Sequence, residues 1–276
     1  VKITIEAFSN IFSLNSFLDV NNLAPLLTVA GTIFAYFSIL IISFGDFSRY
    51  VQNEQELKKG NLSLILNLII FSFLSVFIVI GSDVFLNQKF SDIDRIFTNP
   101  TDIVGKFDNI QITIVVLFFI IIASASTNLV ANFIPSQYSL INFAPSILSL
   151  KSASYLIAFF GLLIAIFWLT ILSQIGILSF VDTFGAFFGP LFGVMAADYY
   201  LIKNQELSNK DLYSIDKESA YYYSGGWHIK GVYSLILGFI FSASTIWNTN
   251  LMFLQSYAWI IGAFVAWITY YLLAKK

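Results

Sequence analysis

Apolar runs of about 20 residues recur along this chain, and no other feature restricts its fold as much. A hydrocarbon layer roughly 30 Å thick holds no water for unpaired backbone groups, so a segment that crosses it closes its own hydrogen bonds as a helix. Measured against that length, the sequence predicts seven helices, at 24–45, 62–84, 110–134, 154–172, 175–202, 231–247 and 251–273. The fourth and fifth are parted only by a short break near Ser173–Gln174, and residues 1–23 read as a surface segment before the first span. Composition agrees: 58% of the chain is apolar and 11% charged, where a soluble domain has about a quarter of its residues charged. The expected class is all-α and transmembrane, a single membrane domain over residues 1–276.

Several chemistries are excluded at once. The chain has no Cys, which removes disulfides, zinc–thiolate sites, iron–sulfur clusters and thiol nucleophiles. Its one histidine, His228, cannot build a His-rich metal site. A formal net charge of −2 offers no basic surface to nucleic acid; the partner is the lipid bilayer. The sequence begins at Val1 with no signal peptide ahead of the first span, so we expect an amino-terminal part of a longer protein upstream.

Orientation follows from Lys and Arg in alternate loops. One side collects Arg49, Lys58, Lys59, Lys151, Lys203, Lys210, Lys217, Lys230, Lys275 and Lys276; the other holds Lys2, Lys89, Arg95 and Lys106 among Asp92, Asp94, Asp102 and Asp108. Ten against four places the first group, and the carboxyl terminus, in the cytoplasm. The 203–230 loop mixes both charge signs with Tyr221, Tyr222, Tyr223 and Trp227, an interfacial aromatic belt.

Inside a membrane helix, the informative residues are those that lipid does not favour. The third span carries the most polar of these stretches, Ala123 to Asn132. At about 100° per residue, Ala123, Ser126 and Thr127 share one arc, and Ser124, Asn128 and Asn132 share another. The first arc offers hydroxyls that suit a bare cation seeking hard oxygen ligands. The second offers carboxamides that both donate and accept hydrogen bonds. The same residue types also serve ordinary helix–helix packing, and periodicity does not choose between the two readings.

The fifth span contains Gly185, Gly189, Pro190 and Gly193, where a missing donor and loosened ladder predict a bend or break, as a hinge or only as a packing kink. Asp182 in the same span is either a functional intramembrane carboxylate or one that reaches the outer interface. Asp46 and Arg49 read as a local ion pair that anchors the end of the first span, and Asp198 closes the fifth in the same manner. His228 reads as an interfacial residue rather than a proton relay.

Taken in order, these stretches resemble the nucleobase–cation symporters, which include hydantoin, allantoin, uracil and cytosine permeases. The matching pieces are Gly45-Asp46-Phe47-Ser48-Arg49-Tyr50, Ala123 to Asn132, Gly189-Pro190-Leu191-Phe192-Gly193, Ala197-Asp198-Tyr199-Tyr200-Leu201-Ile202, Asp211-Leu212-Tyr213 and Gly225-Gly226. The resemblance implies a leucine-transporter-type fold of two inverted five-helix repeats followed by two more helices. On that template the chain covers spans six to twelve: the second repeat at 24–202, a cytoplasmic loop at 203–230 and a final pair at 231–276. Spans one to five would then be the missing partner. It further implies that Ala123 offers its carbonyl, and Ser126 and Thr127 their hydroxyls, to a sodium ion, with the other ligands coming from span one.

By the same resemblance, Asn132, with Asn128 beside it, hydrogen-bonds a planar heterocycle, and Phe37 falls where a stacking Trp is common. Ala35 and Tyr36 replace the small residues usual before that position. The implied function is not enzymatic. It is import of a small planar nitrogenous ring with a cation, sodium by resemblance, across a bacterial inner membrane by alternating access, with Gly189, Pro190 and Asp182 in the gating element. Alternatives are a symporter of the same fold for amino acids or another metabolite, proton coupling through Asp182, and a non-transporting membrane subunit. No cofactor is expected beyond the coupling ion.

Overall fold

The computed structural model describes residues 20–89, 100–106, 109–168, 177–212, 214 and 216–275. Expectations that rest on Lys2, Asp92, Asp94, Arg95, Asp108, Ser173–Gln174, Tyr213 and Lys276 lie outside them. In chain order the helices are α1 (Val20–Ile42), α2 (Phe44–Ser48), α3 (Glu54–Lys89), α4 (Pro100–Val104), α5 (Ile110–Asn128), α6 (Ile134–Phe143), α7 (Leu150–Phe167), α8 (Ile177–Ala197), α9 (Asn209–Leu212), α10 (Ile229–Trp247) and α11 (Ala258–Ala274). Among the described residues, seven segments are long and apolar enough to cross a membrane, and each overlaps one of the seven predicted spans. The described residues form no sheet; one isolated bridge pairs Ser224 with Trp227.

Local chemistry explains where several helices begin. Asn109 accepts hydrogen bonds from the Gln111 and Ile112 amides, supplying two of the partners that a first helical turn lacks. Asn53 does the same for the Glu56 amide at 2.9 Å. Glu54–Lys58 and Glu56–Lys59 pairs follow along the first turns of α3. Capping carries α3 back to Glu54, eight residues before the start expected from hydropathy alone.

Two segments depart from α geometry at the ends of motif stretches. Leu129–Phe133 is a π turn, closed by the Ile134 amide on the Leu129 carbonyl. Pro135 supplies the reason: it brings no N–H and its ring crowds the carbonyl four residues back, so the wider turn relieves the clash. The helix therefore does not stop at 134 as expected, and the span runs on to Phe143. A second π turn, Asp198–Ile202, ends α8, with the Lys203 amide on the Asp198 carbonyl. The seventh span begins as a nine-residue 3₁₀ helix, Thr249–Tyr257, started by Asn248 accepting from the Asn250 amide.

The described chain divides into two compact units, Gly45–Ala158 and Val20–Phe44 with Phe159–Lys276. In the first, the anticipated Asp46–Arg49 pair forms at 2.9 Å. The Arg49 guanidinium also lies over the Tyr138 ring, 4.2 Å from its centroid, and the Tyr138 and Tyr50 hydroxyls meet at 2.5 Å. Gln137 donates to the Leu150 carbonyl at 3.1 Å and ties α6 to α7.

The second unit is built on α8, which packs against α1, α10 and α11. Its core is made of small residues (Ala35, Ala197, Ala263 and Ala266 with Val194) and two large aromatics, Trp259 and Tyr270. Lipid gives no hydrophobic drive between helices, so close backbone approach is what holds them together. A Cβ at Gly189 would stand 2.2 Å from the Trp259 carbonyl oxygen, and one at Gly193 2.1 Å from that of Ala263. Of the bend or break expected at Gly189–Pro190, the break is absent: α8 continues through both residues to Ala197. Pro190 is fully buried in a notch left by Gly238 and Gly262, so its ring serves as a packing knob.

Candidate functional site

The first unit carries the polar stretch of α5. Ser126 Oγ donates to the Ala123 carbonyl at 3.0 Å, so the carbonyl and one hydroxyl of the first arc are already together. Thr127 follows on the same arc, and residues 121–130 are all exposed within the unit. These three residues offer neutral oxygens and no carboxylate, a donor set chemically suited to a monovalent cation.

Asn132 Nδ2 donates to Asn128 Oδ1 at 2.6 Å. The bond spans the start of the π turn, and a π turn inside a membrane-length helix commonly marks a working position. It leaves Asn132 Oδ1 as an acceptor and the Asn128 amide as a donor, the complementary pair that a ring with adjacent C=O and N–H groups requires. An exposed polar stripe on a helix of this length needs protein or ligand beside it, because lipid cannot satisfy hydroxyls and carboxamides.

The second unit holds the remaining predicted residues. Tyr36 lines a recess of about 190 Å³ with Ala35, Ser38 and Ile39 of α1 and Val181, Phe184 and Phe188 of α8. Phe37 does not line it; half-buried, it meets the Tyr36 ring edge-on at 5.2 Å. Phe184 and Phe188 were not anticipated. They stack at 6.4 Å one helical turn apart. Their i, i+4 spacing was the available signal, hidden in a chain with 30 Phe.

Asp182 is only 3% exposed, buried within the second unit. Gln255 Nε2 donates to its Oδ2 at 3.2 Å, while Oδ1 has no partner among the described residues. Gly185, Gly189 and Gly193 follow Asp182 at intervals of three and four, so the carboxylate shares the face of α8 that packs on Trp259 and Ala263.

A family profile described as "Permease for cytosine/purines, uracil, thiamine, allantoin" matches residues 2–271. An allantoin permease of Bacillus subtilis is 28% identical over 244 residues, 88% of this chain and 48% of the relative. A purine-uracil permease of Arabidopsis thaliana is 25% identical over 255 residues, 88% of this chain and 41% of the relative. A putative allantoin permease of Escherichia coli is 26% identical over 251 residues, 91% and 50% respectively. The chain thus spans about half the length of these relatives. No solved structure gives a significant match. Seven membrane-length helices among the described residues and a profile match over nearly every residue agree, and the chain belongs to the cytosine/purine, uracil, thiamine and allantoin permease family.

Proposed function

We propose that this chain is the carboxyl-terminal half of a secondary transporter that imports a small planar nitrogenous heterocycle with sodium. The observation that carries the reading is the exposed polar stripe of α5 in a chain of this family: Ala123, Ser126 and Thr127 as cation ligands, Asn128 and Asn132 as substrate hydrogen-bonders. In a leucine-transporter-type arrangement the chain supplies spans six to twelve, and spans one to five bring the remaining sodium ligands. Within the second unit, Tyr36 and Phe37 are the aromatic side chains suited to stack on a planar ring. Asp182, Gly189 and Pro190 belong to the element whose motion exposes the site to either side in turn. A filled cation site orders helices that also shape the substrate pocket, and this shared ordering couples the two. The carboxyl terminus is cytoplasmic and the membrane a bacterial inner membrane, which fits the excess of Lys and Arg on that side.

Uptake of labelled uracil, cytosine, allantoin, a hydantoin and thiamine tests this in cells that express the reading frame containing this chain. Uptake of one heterocycle in sodium buffer but not in choline buffer is the expected result. Failure of all five, with the protein shown to be in the membrane, would direct the search to another solute.

The buried, half-satisfied Asp182 favours a second reading, in which a proton replaces sodium. A buried carboxylate oxygen without a partner is costly unless a proton or a cation meets it. Asp182→Asn separates the readings. Under sodium coupling, the variant keeps the sodium dependence of uptake. Under proton coupling, it loses uptake driven by a pH gradient while still exchanging substrate.

A further inference from the structure

Where α8, α10 and α11 end on the Lys-rich side, five side chains close into a ring. Asp198 Oδ1 accepts the Tyr270 hydroxyl at 2.6 Å, and its Oδ2 meets Lys203 Nζ at 2.8 Å. Lys203 Nζ also donates to the Tyr223 hydroxyl at 3.4 Å. The Tyr223 ring stacks on His228, with centroids 4.0 Å apart and planes 15° from parallel. His228 Nε2 completes the circuit at 3.3 Å from the Tyr270 oxygen. Because the Tyr270 proton is committed to Asp198, Nε2 is the donor in that last bond, which leaves Nδ1 as the bare nitrogen of a neutral imidazole.

Nδ1 lies over the first turn of α10: a Cβ added at Gly231 would be 3.1 Å from it. The first turn of a helix presents unpaired N–H groups and the positive end of the helix dipole. A lone pair facing that end is favourable, and a second proton there is not.

We propose that this ring is a proton-sensitive clasp: with His228 neutral it pins the 203–228 loop to the ends of α8, α10 and α11, and a proton on Nδ1 loosens it at the first turn of α10. The charged groups facing His228 are Asp198 from the π turn, Lys203 from the loop and Lys230 from its own helix, with the phenols of Tyr223 and Tyr270 on either side. Burial pushes the imidazole below the ordinary histidine value; Asp198 pulls it up, and Lys203 and Lys230 push it further down. A histidine depressed in the folded state costs nothing above the unfolded value of about 6.5, and stability falls as pH drops below that value. The clasp therefore weakens on acidification. It involves none of the residues assigned to cation or substrate, so it holds whichever solute is carried.

The chain's single histidine makes the test direct, since histidine-selective ¹⁵N labelling of this chain gives one titrating imidazole. The expected result is a midpoint below about 6.5 that moves up towards it in Tyr223→Leu, where the covering ring is gone. Wild type should also melt lower, by about 2 °C, at about pH 5.5 than at about pH 7.5, and His228→Gln should lose that difference while Asp182→Asn keeps it. A midpoint at or above the ordinary value, or one indifferent to Tyr223→Leu, overturns the clasp without requiring the His228 variant to fold. A melting difference that survives in His228→Gln overturns it as well.

Discussion

Gly193→Leu is expected to keep α8 from docking on α11 and to leave no monodisperse protein after extraction from the membrane. Even the first atom of a side chain at this position falls 2.1 Å from the Ala263 carbonyl oxygen, and the next contacts are the Ala263 backbone carbons at 2.9 and 3.0 Å. Backbone on both sides leaves nothing to rotate away, so the helices must separate. Separation undoes the packing of Val194, Ala197, Ala266 and Tyr270 together. Overpacking a well-filled interior typically costs about 1–3 kcal/mol where side chains can move, and here they cannot. Gly193→Ala should already lower the melting temperature. Leu substituted at Gly161, which has open space around its Cβ position, is the matched control and should be tolerated. Recovery of Gly193→Leu with a wild-type melting temperature would mean that α8 and α11 do not approach this closely.

The second large effect concerns transport. Thr127→Ala is expected to reduce sodium-stimulated uptake by about tenfold or more, with the protein still in the membrane. Thr127→Ser, which restores the hydroxyl, should recover most of it, and Thr127→Val, which keeps the shape without the oxygen, should not. That order distinguishes a ligand from a packing residue. Thr127 is exposed on α5, where loss of one methyl disturbs little, so a packing role would make the Ala and Ser variants alike. Equal sodium dependence in all three variants would remove the assigned cation site and return weight to the Asp182 reading.

Some of this was written locally and could be read locally. Hydropathy is summed over neighbours along the chain, so the seven spans were visible without any contact. The Asp46–Arg49 pair is three residues apart on one helical turn, and its formation follows from spacing alone. Ser126 and Ala123 share an arc for the same reason. The family was legible because its motifs recur in order along the chain.

What could not be read depends on residues distant in sequence. Tyr270 and Asp198 are 72 positions apart, and Gln255 and Asp182 are 73 apart. No periodicity links such pairs; they meet because α8 and α11 pack along a stripe of small residues. Pro190 illustrates the difference: taken alone, a proline in a span signals a break, yet two glycines on neighbouring helices receive its ring and the helix continues. Phe184 and Phe188 acquire meaning only from the opposing face of α1. The sequence by itself determined which segments cross the membrane and which family they serve, because those properties accumulate residue by residue. Only the tertiary structure decided which polar atoms are satisfied, because a hydrogen-bond partner is chosen by the packing of separate helices and not by the segment that carries the donor.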